Sequence, residues 1–136
     1  MRKKHTLITN SDNRRLRSLL KNAAPSGTNN GPLAGLRQRV RSARVVGQKH
    51  IPRNVVTMNS LVVLRDLQSG HRFTCRLAYP NQAKRFGSIS VVRPVGTAIL
   101  GKCVGEIIPW PTGGSERRLR IQSLMYQPEA AGDFHL

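Results

Sequence analysis

The stretch Ile89 to Pro109, I-S-V-V-R-P-V-G-T-A-I-L-G-K-C-V-G-E-I-I-P, decides the fold. It predicts a strand over Ser88–Val92, a short apolar helix opened by Pro94 and closed by Gly101, a tight turn, and a second strand over Glu106–Trp110. The same stretch holds Gly96-Thr97-Ala98-Ile99-Leu100-Gly101-Lys102-Cys103, one substitution away from the phosphate loop G-x-x-x-x-G-K-[S/T]. Such a loop needs a hydroxyl for Mg²⁺ and a helix that begins at the lysine. Here Cys103 replaces the hydroxyl, and Val104-Gly105 with Pro109 close behind opposes a long helix. The four residues between the glycines suit packing on a sheet. The motif reads as scaffold.

Outward from this stretch, the pattern is β on both sides. Leu61–Leu64 reads as a buried strand, Gln68-Ser69-Gly70 as a hairpin turn. The return strand places Phe73, Cys75, Leu77 and Tyr79 on one face, with Arg72, Thr74 and Arg76 on the other. Thr112-Gly113-Gly114 is turn chemistry, and Arg118-Leu119-Arg120-Ile121-Gln122 alternates as a last strand. The expected order is β-β-β-α-β-β, an α+β arrangement in which an antiparallel sheet covers one short helix.

Residues 11–46 predict a helical hairpin. Ser11 is the expected N-cap, with Leu16, Leu19 and Leu20 as an apolar stripe. Ala24 to Gly31 is turn chemistry, and Pro32 suits a first helical position before Leu33, Leu36 and Val40. Arg14, Arg15, Arg17, Arg37, Arg39, Arg41 and Arg44 crowd the remaining faces. Their mutual repulsion predicts that the hairpin frays without an acidic partner. Residues 47–57 are expected to be a linker running into strand.

The chain has 136 residues and a net charge of +17, unevenly spread. Residues 1–54 hold thirteen Lys/Arg against Asp12 alone, or +12; residues 55–136 hold ten against five, or +5. That field attracts polyanions, either nucleic acid or an acidic protein surface. No apolar run approaches the ~20 residues of a membrane span. The expectation is a soluble, cytoplasmic protein with no membrane partner, its two cysteines serving as small hydrophobes. The basic hairpin disfavours self-pairing, so a monomer is expected.

Catalytic searches return nothing. The six carboxylates form no close pair on one element, and the four histidines lack metal-ligand spacing. No G-x-S-x-G occurs. No catalytic residue, no metal and no cofactor are therefore expected, and the chain reads as a binding module rather than an enzyme.

Several motifs arrive in a specific order: Val55-Val56-Thr57-Met58-Asn59-Ser60, Asp66-Leu67-x-Ser69-Gly70, Leu77-Ala78-Tyr79-Pro80, Ile89-Ser90-Val91-x-x-Pro94-Val95-Gly96-Thr97-Ala98-Ile99-Leu100-Gly101, and Tyr126 to Phe134. In these the chain resembles the nucleoside diphosphate kinase regulator (Rnk) family, which shares its C-terminal domain with the Gre transcript-cleavage factors. The resemblance covers residues 55–136 almost continuously and residues 7–54 only loosely. It implies an FKBP-like domain over 55–136, and a basic, short coiled-coil hairpin with a linker over 1–54. It further implies a non-catalytic transcription regulator that binds bacterial RNA polymerase near its secondary channel, docking through Val92, Arg93, Pro94 and Gly96. Gre factors carry carboxylates at the hairpin tip to hold Mg²⁺, whereas Ala24 to Gly31 has none, so transcript cleavage is expected to be absent. The hairpin is also more basic than the family's. That departure raises a second reading, direct DNA or RNA binding through the seven arginines of residues 14–44, with affinity that falls steeply with salt. The family name implies an effect on nucleoside diphosphate kinase, direct or indirect.

Overall fold

A computed structural model describes residues 6–23, 33–111 and 116–136, apart from the side chains of Ala23, Trp110, Pro111 and Glu116. The turns expected at Ala24–Gly31 and Thr112–Gly114, and Pro32, lie outside the described residues. The chain begins with a short strand, β1 (Leu7–Thr9), followed by helices α1 (Asn10–Ala23) and α2 (Ala34–Ser42) and strand β2 (Arg44–Val46). The remaining elements are β3 (Leu61–Asp66), β4 (Arg72–Ala78), β5 (Ser88–Ser90), α3 (Pro94–Ile99), β6 (Ile107–Pro111), β7 (Glu116–Tyr126) and α4 (Pro128–Ala131).

Strands β3 to β7 form one sheet in the order β5-β4-β3-β7-β6. Alternation explains its inner face: Val62 pairs with Cys75 across β3 and β4, and all of Val62, Leu64, Cys75, Leu77, Leu119 and Ile121 are buried. Helix α3 packs Val95 and Ile99 into the same cluster. The expected all-antiparallel sheet needs correction, because β5 runs parallel to β4, with Arg76 opposite Ser88. The chain between them, residues 79–87, crosses over through a 3-10 turn at Pro80–Gln82 and so returns in the same direction.

The helices differ from expectation more. Leu16, Leu20, Leu36 and Val40 join the sheet's residues in one continuous hydrophobic cluster, so the described part of the hairpin is packed rather than frayed. Burial of those side chains, each worth about 1.5–3 kcal/mol, outweighs the screened repulsion of arginines that point outward. The N-cap is Thr9 rather than Ser11: the Asp12 N–H donates to Thr9 Oγ1 at 3.0 Å. β1 and β2, absent from the sequence reading, pair in parallel and bring the end of α2 beside the start of α1. Nor is 47–57 a simple linker, since Val55, Val56 and Thr57 are almost fully buried.

A buried polar clasp joins these parts. The Met58 N–H donates to Asp12 Oδ2 at 3.1 Å, and the Tyr79 hydroxyl to Asp12 Oδ1 at 3.3 Å. Thr57 Oγ1 donates to Glu129 Oε1 at 2.7 Å, and the Thr57 N–H to Ser60 Oγ at 2.9 Å. Asn59, between them, takes a φ of 69°, the left-handed region that asparagine tolerates. The Val55–Ser60 motif is thus the knot that ties α1, the sheet and α4 together.

Candidate functional site

The strand-to-helix junction is built on one close approach. A Cβ on Gly96 would lie 2.1 Å from the Ser90 carbonyl oxygen, so no side chain fits between α3 and the end of β5. Thr97 Oγ1 donates to the Val91 carbonyl at 2.6 Å, and the Thr97 N–H to the Arg93 carbonyl at 2.8 Å. Pro94 occupies the first turn of α3, where its missing N–H costs nothing. The junction is therefore rigid, and it leaves Arg93 and Pro94 exposed and Val92 half-buried. Gly96, expected among the docking residues, is buried. Its role is to allow the approach that sets Arg93 and Pro94 outward.

The junction also meets the helical pair. Gly35 of α2 faces Thr97, and an open groove of about 590 Å³ runs between α2 and α3. Arg39 and Arg93 are the two cations along it, with Val92, Pro94 and Ala98 supplying apolar wall. Arg39 Nη1 donates to Thr6 Oγ1 at 3.2 Å. Burial pulls the Arg39 pKa below its ordinary value, and the negative charge of Glu106 opposes that pull; the guanidinium stays charged.

The seven arginines do not form one patch. Arg17, Arg37 and Arg41, joined by Lys21, line a groove of about 250 Å³ between α1 and α2, floored by Leu20 and Val40. Arg39 turns away toward α3, and Arg15 donates to the His135 carbonyl at 3.3 Å. Arg14 and Arg44 are exposed elsewhere on α1 and β2. The near-phosphate-loop behaves as scaffold: α3 ends at Ile99, before Lys102, and Gly101 takes a φ of 78° so that β1 can dock. There the Leu7 N–H donates to the Gly101 carbonyl at 3.1 Å. Among the described residues, no three His, Cys, Asp or Glu side chains gather as a metal site, and no helix is long and apolar enough to cross a membrane.

Sequence reasoning missed Asp12 as anything but an isolated acid. Its carboxyl is pushed up to about 7, chiefly by burial and further by the negative charge of Glu129, against the Met58 N–H and the Tyr79 hydroxyl that favour the carboxylate. Its partners lie 46 and 67 positions away along the chain, so no local pattern carries the pairing.

Residues 51–126 match the family model described as the C-terminal domain of the transcription elongation factors GreA/GreB. The chain is 38% identical over 133 residues to a regulator of nucleoside diphosphate kinase from Escherichia coli strain K12, covering 96% of each chain. It is 33% identical over 79 residues to a transcription elongation factor GreA from Syntrophomonas wolfei, covering 57% of this chain and 50% of that one. A solved structure, a prokaryotic transcription elongation factor GreA/GreB from Nitrosomonas europaea, is 36% identical with a TM-score of 0.74, over 89% of this chain and 99% of the other. The motif order, the sheet over a short helix and the full-length similarity agree: the chain belongs to the GreA/GreB C-terminal-domain family, in the branch of the regulators of nucleoside diphosphate kinase.

Proposed function

We propose that this chain is a non-catalytic transcription regulator that binds bacterial RNA polymerase near its secondary channel and does not cleave transcripts. The observation that carries the reading is the full-length similarity to a regulator of nucleoside diphosphate kinase, together with a Gre-type domain over residues 51–126. Docking is assigned to the exposed Arg93-Pro94 shoulder with Val92 beneath it, an apolar-and-cationic surface suited to an acidic partner face. In this reading residues 55–136 are the docking, FKBP-like domain, and residues 1–54 are a basic coiled-coil appendage on a cytoplasmic monomer. The tip Ala24–Gly31 has no carboxylate to hold Mg²⁺, which supports the absence of cleavage. The test is co-purification of the full chain with core RNA polymerase from nuclease-treated lysate, followed by a cleavage assay on stalled elongation complexes. Retained polymerase with uncleaved transcript is expected; failure to retain polymerase at moderate salt overturns the reading.

A second reading, nucleic-acid binding, is favoured by the groove of Arg17, Lys21, Arg37 and Arg41. It requires log K to fall by roughly 0.9 per log unit of salt for each phosphate neutralised. A nearly flat salt titration would exclude it.

A further inference from the structure

A pocket of about 540 Å³ lies on the outer face of the sheet, and three cations line it: Arg76, Lys84 and Arg85; Lys84 and Ser88 also line the neighbouring pocket that reaches Arg93. Sheet register explains Arg76. It stands in a row across the sheet, opposite Ser88 of β5 and Leu61 of β3, with Tyr126 of β7 next beyond Leu61. One guanidinium nitrogen, Nη1, donates to the Asn59 carbonyl at 3.2 Å, and the guanidinium carbon sits 5.9 Å from the centre of the Tyr126 ring. The group is thus held in place while most of its five N–H donors remain unused. The loop after β4 then brings Lys84 and Arg85 to the same rim, with the polar side chains of Asn59, Asn81 and Ser88 around them.

Leu136 also lines the pocket, but among the described residues no carboxylate, its own included, pairs with these cations. The lining contains no Asp or Glu, and among the described residues no carboxylate lies within ion-pair distance of Arg76, Lys84 or Arg85. An arginine that is half-buried, oriented and unpaired by any carboxylate is preorganised for an anion with several acceptor oxygens. The volume falls within the ~300–1,000 Å³ of small-molecule pockets, larger than a single orthophosphate needs.

We propose that Arg76, Lys84 and Arg85 form a binding site for a diphosphate group, free or as part of a nucleotide. Arg76 is the positioned bidentate donor, and Lys84 and Arg85 supply charge from the loop. The proposal does not rest on polymerase docking, and its test does not involve polymerase.

Calorimetric titration of the full chain at ~150 mM salt, near physiological ionic strength, with inorganic pyrophosphate and with ADP, tests the proposal. Saturable one-to-one binding of at least one of them is expected. Tighter binding of ADP identifies a nucleotide as the ligand, and equal binding identifies the diphosphate alone. Arg76→Met should weaken binding at least about tenfold, the size of one lost charge-assisted contact. Because Arg76 also braces Asn59, Lys84→Ala and Arg85→Ala on the exposed loop serve as second variants, each expected to weaken binding about threefold. Arg118→Ala on β7 controls for net charge and should change it less than about twofold. Absence of saturable binding, or equal losses in Arg118→Ala and the loop variants, overturns the proposal.

Discussion

The helical pair α1–α2 and the five-stranded sheet contribute to one core, Leu16, Leu36 and Val40 from the first, Val62, Leu64, Leu119 and Ile121 from the second. They differ in how they are fixed. The sheet is ordered by its own ladders and by the Gly96 contact that pins α3, features local to residues 61–126. The helices are held by burial of their own apolar side chains and, in addition, by long-range polar bonds from Asp12 to Met58 and Tyr79. The sheet region can therefore present a rigid shoulder at Arg93-Pro94, whereas the placement of the helices and their charges also rests on a buried carboxyl and its partners.

Substitutions that strike one region and spare the other sharpen this contrast. The largest effect is expected at Gly96→Val: every neighbour of the added Cβ is backbone, so the β5–α3 junction must open. A loss of about 3 kcal/mol in denaturant unfolding is expected, near the upper end for overpacking. Leu36→Ala, fully buried in α2, should cost about 2–3 kcal/mol, the lower part of the range for a leucine cavity. A loss under about 0.5 kcal/mol, the surface range, would show that the helices are not part of the core.

Asp12 gives a pH signature. Its folded pKa of about 7 lies above the ordinary 3.8, so the folded state binds the extra proton. The contribution is complete below about pH 4 and is lost as pH rises toward 7, at up to about 1.4 kcal/mol per pH unit. Asp12→Asn keeps an acceptor for the Met58 N–H and should flatten unfolding free energy between pH 4 and 7. An unchanged slope in the variant would remove Asp12 from the account. The smallest effect is expected at Thr9→Ala, about 1 kcal/mol for a lost N-cap.

The sheet region was largely legible from sequence because its information is local. Alternation in Arg72–Tyr79 and Arg118–Gln122 marks the buried faces, and Pro94 and Gly101 bracket α3. The direction of β5 was not legible, since three residues, Ser88–Ser90, fit either orientation and the crossover decides. β1 and β2 escaped for the same reason: three-residue strands carry no periodicity, and their pairing joins residues far apart. The shoulder at Arg93-Pro94 follows from strand and helix boundaries, but the burial of Gly96 and the meeting of Arg39 with that shoulder require the packed structure. The clasp of Asp12, Thr57, Tyr79 and Glu129 draws on four separate segments and leaves no spacing to read.

The proposed docking is specific to the Arg93 shoulder rather than a diffuse response to a charge of +17. The affinity of the full chain for core RNA polymerase should be compared for wild type, Arg93→Glu and Arg14→Glu, two variants with the same change in charge. A loss of at least about tenfold is expected for Arg93→Glu and of less than about threefold for Arg14→Glu. Equal losses in the two variants would contradict that specificity.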